Sequence, residues 1–240
     1  ASTRDAYERA GIPAAALHVI PNGVDLARFR PDATGRRALR ARLGIPQAAA
    51  VVVFAARYDA VKNVPLFLQA ARAWLAGSPD RQVLMCGTGM TEANPGLEAD
   101  ITAAFGPRHD LATRLHLLGV RRDMETVYTT ADTVALTSRS EAAPLCLIEG
   151  MMCGAVPVTT DAGDSAAIVR GCGIVTPPDP QAIAHAWTTA ATARAAFTPA
   201  LTAARERFSR TRMTASYAAF LEHTAAAAAG EPVRAQPPRR

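Results

Sequence analysis

Residues 140–158 read S-E-A-A-P-L-C-L-I-E-G-M-M-C-G-A-V-P-V, and their reading decides the fold. A short apolar run of strand type, Thr133 to Thr137 (T-V-A-L-T), precedes them, and a second, Ala155 to Thr159 (A-V-P-V-T), overlaps their end. Runs of this length and composition are those of buried strands. Between the two, Pro144 suits the first turn of a helix, where its missing N–H is not needed, and Gly154 suits the position just past the end. The unit is therefore strand, loop, helix, strand. A helix N-terminus that follows a strand offers free N–H groups and the positive end of a dipole, a ready site for a phosphate or diphosphate. Ala142 and Ala143 are small enough to let a ligand approach the backbone.

Two carboxylates frame this stretch. Glu149 falls one to two turns into the helix, where it can accept hydrogen bonds from two adjacent ribose hydroxyls. Glu141 stands at the loop mouth, facing whatever the diphosphate carries. A glutamate on a helix is ordinarily solvated. Glu149, however, is flanked by Leu147, Ile148, Met151 and Met152, where an unpaired carboxylate is costly, so a ligand or a partner is expected. Paired carboxylates also cleave glycosides when they stand roughly 5 to 10 Å apart. Eight helical residues span about 12 Å, somewhat too far for such a pair.

A second constellation lies upstream. Ala50 to Ala56 (A-V-V-V-F-A-A) reads as a buried strand, and Arg57-Tyr-Asp-Ala-Val-Lys62-Asn63 follows directly. Val64, Phe67, Leu68, Ala71 and Leu75 then recur at helical spacing, with Asn63 as N-cap and Gly77 as stop. Arg57 thus sits at the carboxyl end of a strand and Lys62 just before a helix, where ligands of open α/β sheets bind. Two cations on one such loop can neutralise a diphosphate, Arg through its fork and Lys as a point charge.

These segments, with V-I-P-N-G-V-D at 19–25, V-L-M-C-G-T-G at 83–89, L-L-G-V at 117–120, P-V-T-T-D-A-G-D at 157–164 and G-I-V-T-P-P-D-P at 173–180, stand in one order. In that order the chain resembles the carboxyl-terminal, donor-binding domain of GT-B retaining glycosyltransferases of family 4, the glycosyl transferases group 1. The resemblance implies a hexose donor with a UDP or GDP leaving group. It implies that Arg57 and Lys62 hold the diphosphate and offset the charge that builds there, with backbone amides between Ala142 and Cys146 sharing that task. It implies that Glu149 binds the ribose, that Glu141 orients the donor sugar, that Val120 lies against the base, and that Gly87 lines the donor site. Two departures stand out. The family often has glycines after the first glutamate where this chain has Ala142, Ala143 and Pro144, and Pro144 has no N–H to give, although Leu145 and Cys146 can still donate. Gly150 stands where the family usually has Ala, which weakens the helix.

The whole chain alternates strands and helices, an α/β pattern with a mostly parallel sheet; with the resemblance this becomes a Rossmann-like three-layer α/β/α domain, the carboxyl-terminal half of a GT-B fold with a helical tail. Strands are expected at His18–Ile20, Val51–Ala55, Gln82–Cys86, Leu115–Leu118, Thr133–Thr137, Ala155–Thr159 and Ile174–Val175. Helices are expected between them, the longest of these at Pro180–Arg194, followed by tail helices at Pro199–Ser209 and Met213–Ala228. The expected organisation is residues 1–16 as a helix left from an amino-terminal domain, 17–195 as the donor domain, 196–229 as packed helices and 230–240 as a mobile tail. The 240 residues suffice for one large domain, whereas a GT-B enzyme works in the cleft between two. A fragment with little transfer activity of its own is therefore expected, the acceptor saccharide, lipid or small molecule being bound by the other half.

The net charge of +5 raises nucleic acid or anionic membrane as partners. The arginines are scattered, without the aromatic interleaving that a single-strand binder needs, so no nucleic-acid partner is expected, while a peripheral membrane contact of the intact enzyme stays open. Cys86, Cys146, Cys153 and Cys172 lack C-x-x-C spacing and read as reduced thiols of a cytoplasmic protein. The histidines lack metal-ligand spacing and no D-x-D holds a metal diphosphate, so no cofactor and no metal are expected. The G-T-G at 87–89 lacks the third glycine and the acidic residue of a dinucleotide fingerprint, which disfavours a dehydrogenase or epimerase. A non-catalytic nucleotide-sugar binding module on the same fold remains the alternative to an enzyme.

Overall fold

The computed structural model describes residues 3–106 and 110–229. In chain order the elements are α1 (Thr3–Arg9), α2 (Ala33–Arg42), β1 (Ala50–Ala55), α3 (Val64–Ala76), β2 (Arg81–Cys86), α4 (Pro95–Phe105), β3 (Leu115–Gly119), α5 (Met124–Thr130), β4 (Thr133–Leu136), α6 (Leu145–Met152), β5 (Val156–Thr160), α7 (Ser165–Val169), β6 (Ile174–Thr176), α8 (Pro180–Thr192), α9 (Arg194–Ala204) and α10 (Arg210–Ala229). The six strands form one sheet in the order β3-β2-β1-β4-β5-β6, every pair parallel. The order reverses between β1 and β4, and the crevice beyond the carboxyl ends of those two strands is where doubly wound sheets bind ligands. Helices α3, α4 and α8 pack together on one face and α2, α5, α6 and α7 on the other, giving the three-layer α/β/α arrangement.

Burial on both faces explains why the central strands carry unbroken apolar runs. Val51, Val52, Val53 and Phe54 of β1 are all buried, and Phe54 begins an aromatic column that runs through Phe67 to Trp187 and Trp74. At the amino ends of the strands a buried charge hub fixes the layers. Asp132 accepts from Arg36 (2.6 Å), Arg40 (3.2 Å) and Arg194 (3.3 Å), and its Oδ2 also takes the Val51 N–H at 2.9 Å. Arg40, fully buried, donates besides to the carbonyls of Pro46, Gln47, Ala49 and Thr130, so both sides of the ion cluster are hydrogen-bonded as a buried charge requires.

Three expectations are corrected. His18–Ile20 is not a strand: the His18 ring stacks on Phe220 of α10 at 4.8 Å, and the bridge in this region is made further on, between Val24 and Ser209. A short apolar run satisfies its side chains against a helix as readily as against a sheet edge. The long helix expected to Arg194 ends at Thr192, because Arg194 turns inward to Asp132 and to the Gly154 carbonyl (3.0 Å) and starts α9. Pro199 lies inside α9, which ends at Ala204, so no helix runs from Pro199 to Ser209. The expected 230–240 tail, Ala1 and Ser2 lie outside the described residues. Among the described residues no helix is long and apolar enough to cross a membrane.

Candidate functional site

The loops leaving β1 and β4 meet at the reversal of strand order. The first, Ala56–Asn63, ends in a short turn capped by Asp59, whose side chain accepts the Val61 N–H at 2.9 Å. Asn63 occupies the N-cap of α3 in the left-handed region (φ 54). Its carboxamide does not cap the helix but accepts from Arg139 Nη2 at 3.3 Å. The second loop, Thr137–Pro144, is stitched to the first by backbone: Arg139 N–H donates to Val61 O at 2.8 Å, and the Thr137 hydroxyl donates to the Lys62 and Asn63 carbonyls.

This stitching places Lys62 against Glu141, with Nζ donating to Oε1 at 2.5 Å, and both side chains are largely buried. The Ser138 hydroxyl donates to the same Oε1 at 2.6 Å. Behind Glu141 the backbone of Gly163 closes in: φ is +55 and a Cβ there would lie 1.7 Å from the Glu141 carbonyl oxygen, so the approach of the two loops requires glycine. The Asp164 N–H, next in sequence, donates to Ala142 O at 3.0 Å.

Helix α6 begins where this loop ends. Pro144 takes its N-cap and supplies no side-chain acceptor to the first turn. Cys146, half-buried in that turn, lies within electrostatic reach of Lys62, Glu141 and Glu149, and burial, with Glu141 next in weight, pushes its thiol up to about 12. Cys86 at the end of β2 is likewise raised to about 12 by burial, with Cys146 next. Burial thus favours the neutral form of both thiols. Glu149 is half-buried; burial raises its pKa, while a hydrogen bond from the Tyr128 hydroxyl and the charge of Arg28 pull it down. The structure therefore brings Lys62 and Glu141 into contact beside the start of α6, with Cys146 within electrostatic reach of both, while Glu149, one turn along the helix, faces Tyr128, Arg28 and Glu125.

The other predicted residues distribute themselves around that cluster. Arg57 stands outside it: its side chain is 70% exposed and pairs with Asp59 on its own loop at 3.5 Å. Gly87 follows β2 and packs on the same loop, a Cβ there falling 2.0 Å from Ala56 O. Val120 follows β3 and is 70% exposed. Leu145 is exposed at the first position of α6. Ala142 and Ala143 line a cavity of about 860 Å³ shared with residues 17–22, α1 and α10.

A family model described as glycosyl transferases group 1 matches residues 49–192. The chain belongs to this family. Curated relatives include the D-inositol 3-phosphate glycosyltransferase of Kineococcus radiotolerans, 31% identical over 194 residues, covering 74% of this chain and 44% of that protein. Among solved structures, HepE of Anabaena in complex with UDP and glucose aligns with a TM-score of 0.79 at 25% identity, over 92% of this chain and 60% of that one. Sucrose-phosphate synthase of Thermosynechococcus elongatus shares the fold at a TM-score of 0.74 and 23% identity, over 94% and 57% respectively. The chain thus spans less than two thirds of each. It is a glycosyl transferases group 1 chain with the GT-B type of α/β/α layer structure.

Two features of this group 1 site lie beyond the sequence reading. Ser138 had a local signal, a hydroxyl three residues before Glu141, while Tyr128, which reaches Glu149 from α5, had none. Among the described residues no three His, Cys, Asp or Glu side chains cluster so as to hold a metal ion.

Proposed function

We propose that the chain is the donor-binding, carboxyl-terminal half of a retaining glycosyltransferase. In this reading a hexose passes from a UDP- or GDP-sugar to an acceptor hydroxyl in the synthesis of a polysaccharide, glycolipid or glycoside. The observation that carries the reading is the convergence of Lys62 and Glu141, from loops after adjacent strands, with Glu149 one turn into the helix that starts beside them. The diphosphate would lie against the uncapped first turn of α6 and Lys62, the ribose against Glu149, and the hexose toward Glu141. HepE, whose structure was solved with UDP and glucose, supports the choice of ligand class.

In the reaction the bond from the anomeric carbon to the diphosphate breaks, and its electron pair stays on the diphosphate. The acceptor oxygen then takes the vacated position on the same face, and its hydroxyl proton passes to the departing diphosphate oxygen. Lys62 and the α6 amides would offset the charge on the leaving group, with Arg57 joining from the rim. An exposed pair such as Arg57 and Asp59 is worth about 0–1 kcal/mol, so a diphosphate can draw the guanidinium across at little cost. Two cations and a helix start fill the role that a metal plays in other transferases, and we propose no metal for this one. The acceptor would be held by a second domain, such as the greater length of the relatives accommodates, and the intact enzyme could touch a membrane surface there.

Calorimetric titration of UDP, GDP and their sugars against the chain tests the donor assignment. Binding of one nucleotide, lost in Glu149→Ala and in Lys62→Ala with the fold intact by circular dichroism, is the expected result. No binding of any of them would overturn the reading, and transfer to an acceptor by this chain alone would overturn the need for a second domain.

A further inference from the structure

Glu141 is held by two donors that converge on one oxygen. Lys62 Nζ and the Ser138 hydroxyl both bond Oε1, at 2.5 and 2.6 Å, and no described residue donates to Oε2. Ser138 is itself fixed: it is buried, and its carbonyl accepts the Thr160 hydroxyl at 3.0 Å from the end of β5. The neighbouring Thr137 hydroxyl bonds the Lys62 and Asn63 carbonyls, and Arg139 N–H bonds Val61 O. The hydroxyl therefore approaches Glu141 from a backbone tied to both adjacent strand ends.

The two donors differ in what else they can do. An ammonium has three N–H groups on a flexible stem and is drawn to any diphosphate that arrives. A serine hydroxyl has one proton, and here it is committed to Glu141. Once Lys62 divides its bonds with a diphosphate, the Ser138 bond is the one that keeps the carboxylate in place.

We propose that Ser138 is the positioning residue of Glu141: it pins Oε1 so that Oε2 faces the sugar hydroxyls of the donor, independently of what Lys62 is doing. This inference rests on the donor site described under Proposed function. It assigns Ser138 to recognition of the sugar and not of the nucleotide, a division that a merely structural role would not produce.

The test compares affinities of UDP and UDP-glucose, and of GDP and GDP-mannose, for the 240-residue chain. Ser138→Ala should weaken the sugar nucleotide by about tenfold, the scale of one hydrogen bond to a charged group, and change the free nucleotide by less than about twofold. In a Glu141→Gln background the same substitution should add less than about twofold, because the partner it positions is already disabled. Ser138→Thr, which keeps the hydroxyl, should restore the preference. Equal weakening of nucleotide and sugar nucleotide by Ser138→Ala would overturn the proposal, as would full additivity with Glu141→Gln. Should the alanine variant not fold, Ser138→Cys keeps the volume with a much weaker donor and carries the same comparison. Failure of the wild-type chain to bind either nucleotide is a different result: it removes the donor site itself, and the inference with it.

Discussion

Replacing Gly150 by alanine puts the packing of α6 to a quantitative test. Gly150 sits on the helix face turned to β4, and a Cβ built there would lie 2.6, 2.7 and 3.0 Å from Cγ1, Cβ and Cγ2 of Val134. Carbon atoms at rest stand about 3.5–4.0 Å apart, so the methyl overlaps three atoms by about 1 Å or somewhat less. Val134 is fully buried and β-branched, with no free rotamer to move into. Overpacking of this kind costs about 1–3 kcal/mol, and the contacts put the site in the upper half of that range. Alanine in place of glycine returns about 1 kcal/mol of helix propensity. The net loss is about 1–2 kcal/mol, a fall in Tm of about 2–8 °C for a domain of this size.

The assay is guanidinium unfolding of wild type and G150A, with the m-value checked for constancy. A double-mutant cycle with Val134→Ala should show coupling of about 1 kcal/mol, since two of the three contacts vanish while the Cβ at 2.7 Å remains. Because α6 carries Cys146 and Glu149, the displaced helix should also bind nucleotide less tightly. An alanine variant as stable as wild type would refute the reasoning, because it would mean that Val134 does not set the depth of α6.

Asp132→Asn removes the charge shared by three arginines, one of them fully buried; chemical unfolding should show a loss of about 3–5 kcal/mol, and a loss below about 1 kcal/mol would mean that the carbonyl acceptors alone satisfy the guanidinium groups. Burial holds the Glu149 pKa above its ordinary 4.5, so the folded chain binds that proton more tightly than the unfolded one, and the contribution of Glu149 falls as pH rises from 4.5 through the folded value. Glu149→Gln should therefore gain in Tm relative to wild type as pH rises through that window while losing nucleotide affinity, and a pH-independent difference in Tm would contradict this.

The parts of this molecule that were legible in advance are those written in adjacent residues. Val51–Ala55, Gln82–Cys86 and Thr133–Thr137 read as buried strands because short, β-branched apolar runs alternate with helical stretches, and Pro144 and Gly154 bracket α6 by backbone chemistry alone. From strands and helices in alternation the crevice follows, and with it the placement of Lys62 and Glu141 on its loops. What adjacency cannot encode is which side chain answers which. Four apolar neighbours show that Glu149 needs a partner, yet the Tyr128 hydroxyl comes from a separate helix. Arg57 and Lys62, five residues apart, look equivalent as charges; an aspartate two residues on takes Arg57, and a loop 79 residues away takes Lys62. His18–Ile20 has the composition of a strand, but composition specifies a buried face and leaves open whether a sheet or a helix provides it.

The pairing of Lys62 with Glu141 also bears on how a donor would be read. A cation and a carboxylate in contact offset each other's charge, so neither Lys62 nor Glu141 stands unpaired. In the donor site proposed above, a diphosphate would bring negative charge to the lysine and a sugar would bring hydroxyl donors to the carboxylate. Each ligand half would then meet a group that the other half frees, and a donor carrying both would gain more than its two parts bound separately. Free diphosphate would have to share Lys62 with a carboxylate that gains no donor in exchange. On this argument the preference for sugar nucleotide over nucleotide comes from Glu141 and should collapse in Glu141→Ala, which leaves Lys62 free for phosphate and so tightens the nucleotide while loosening its sugar conjugate.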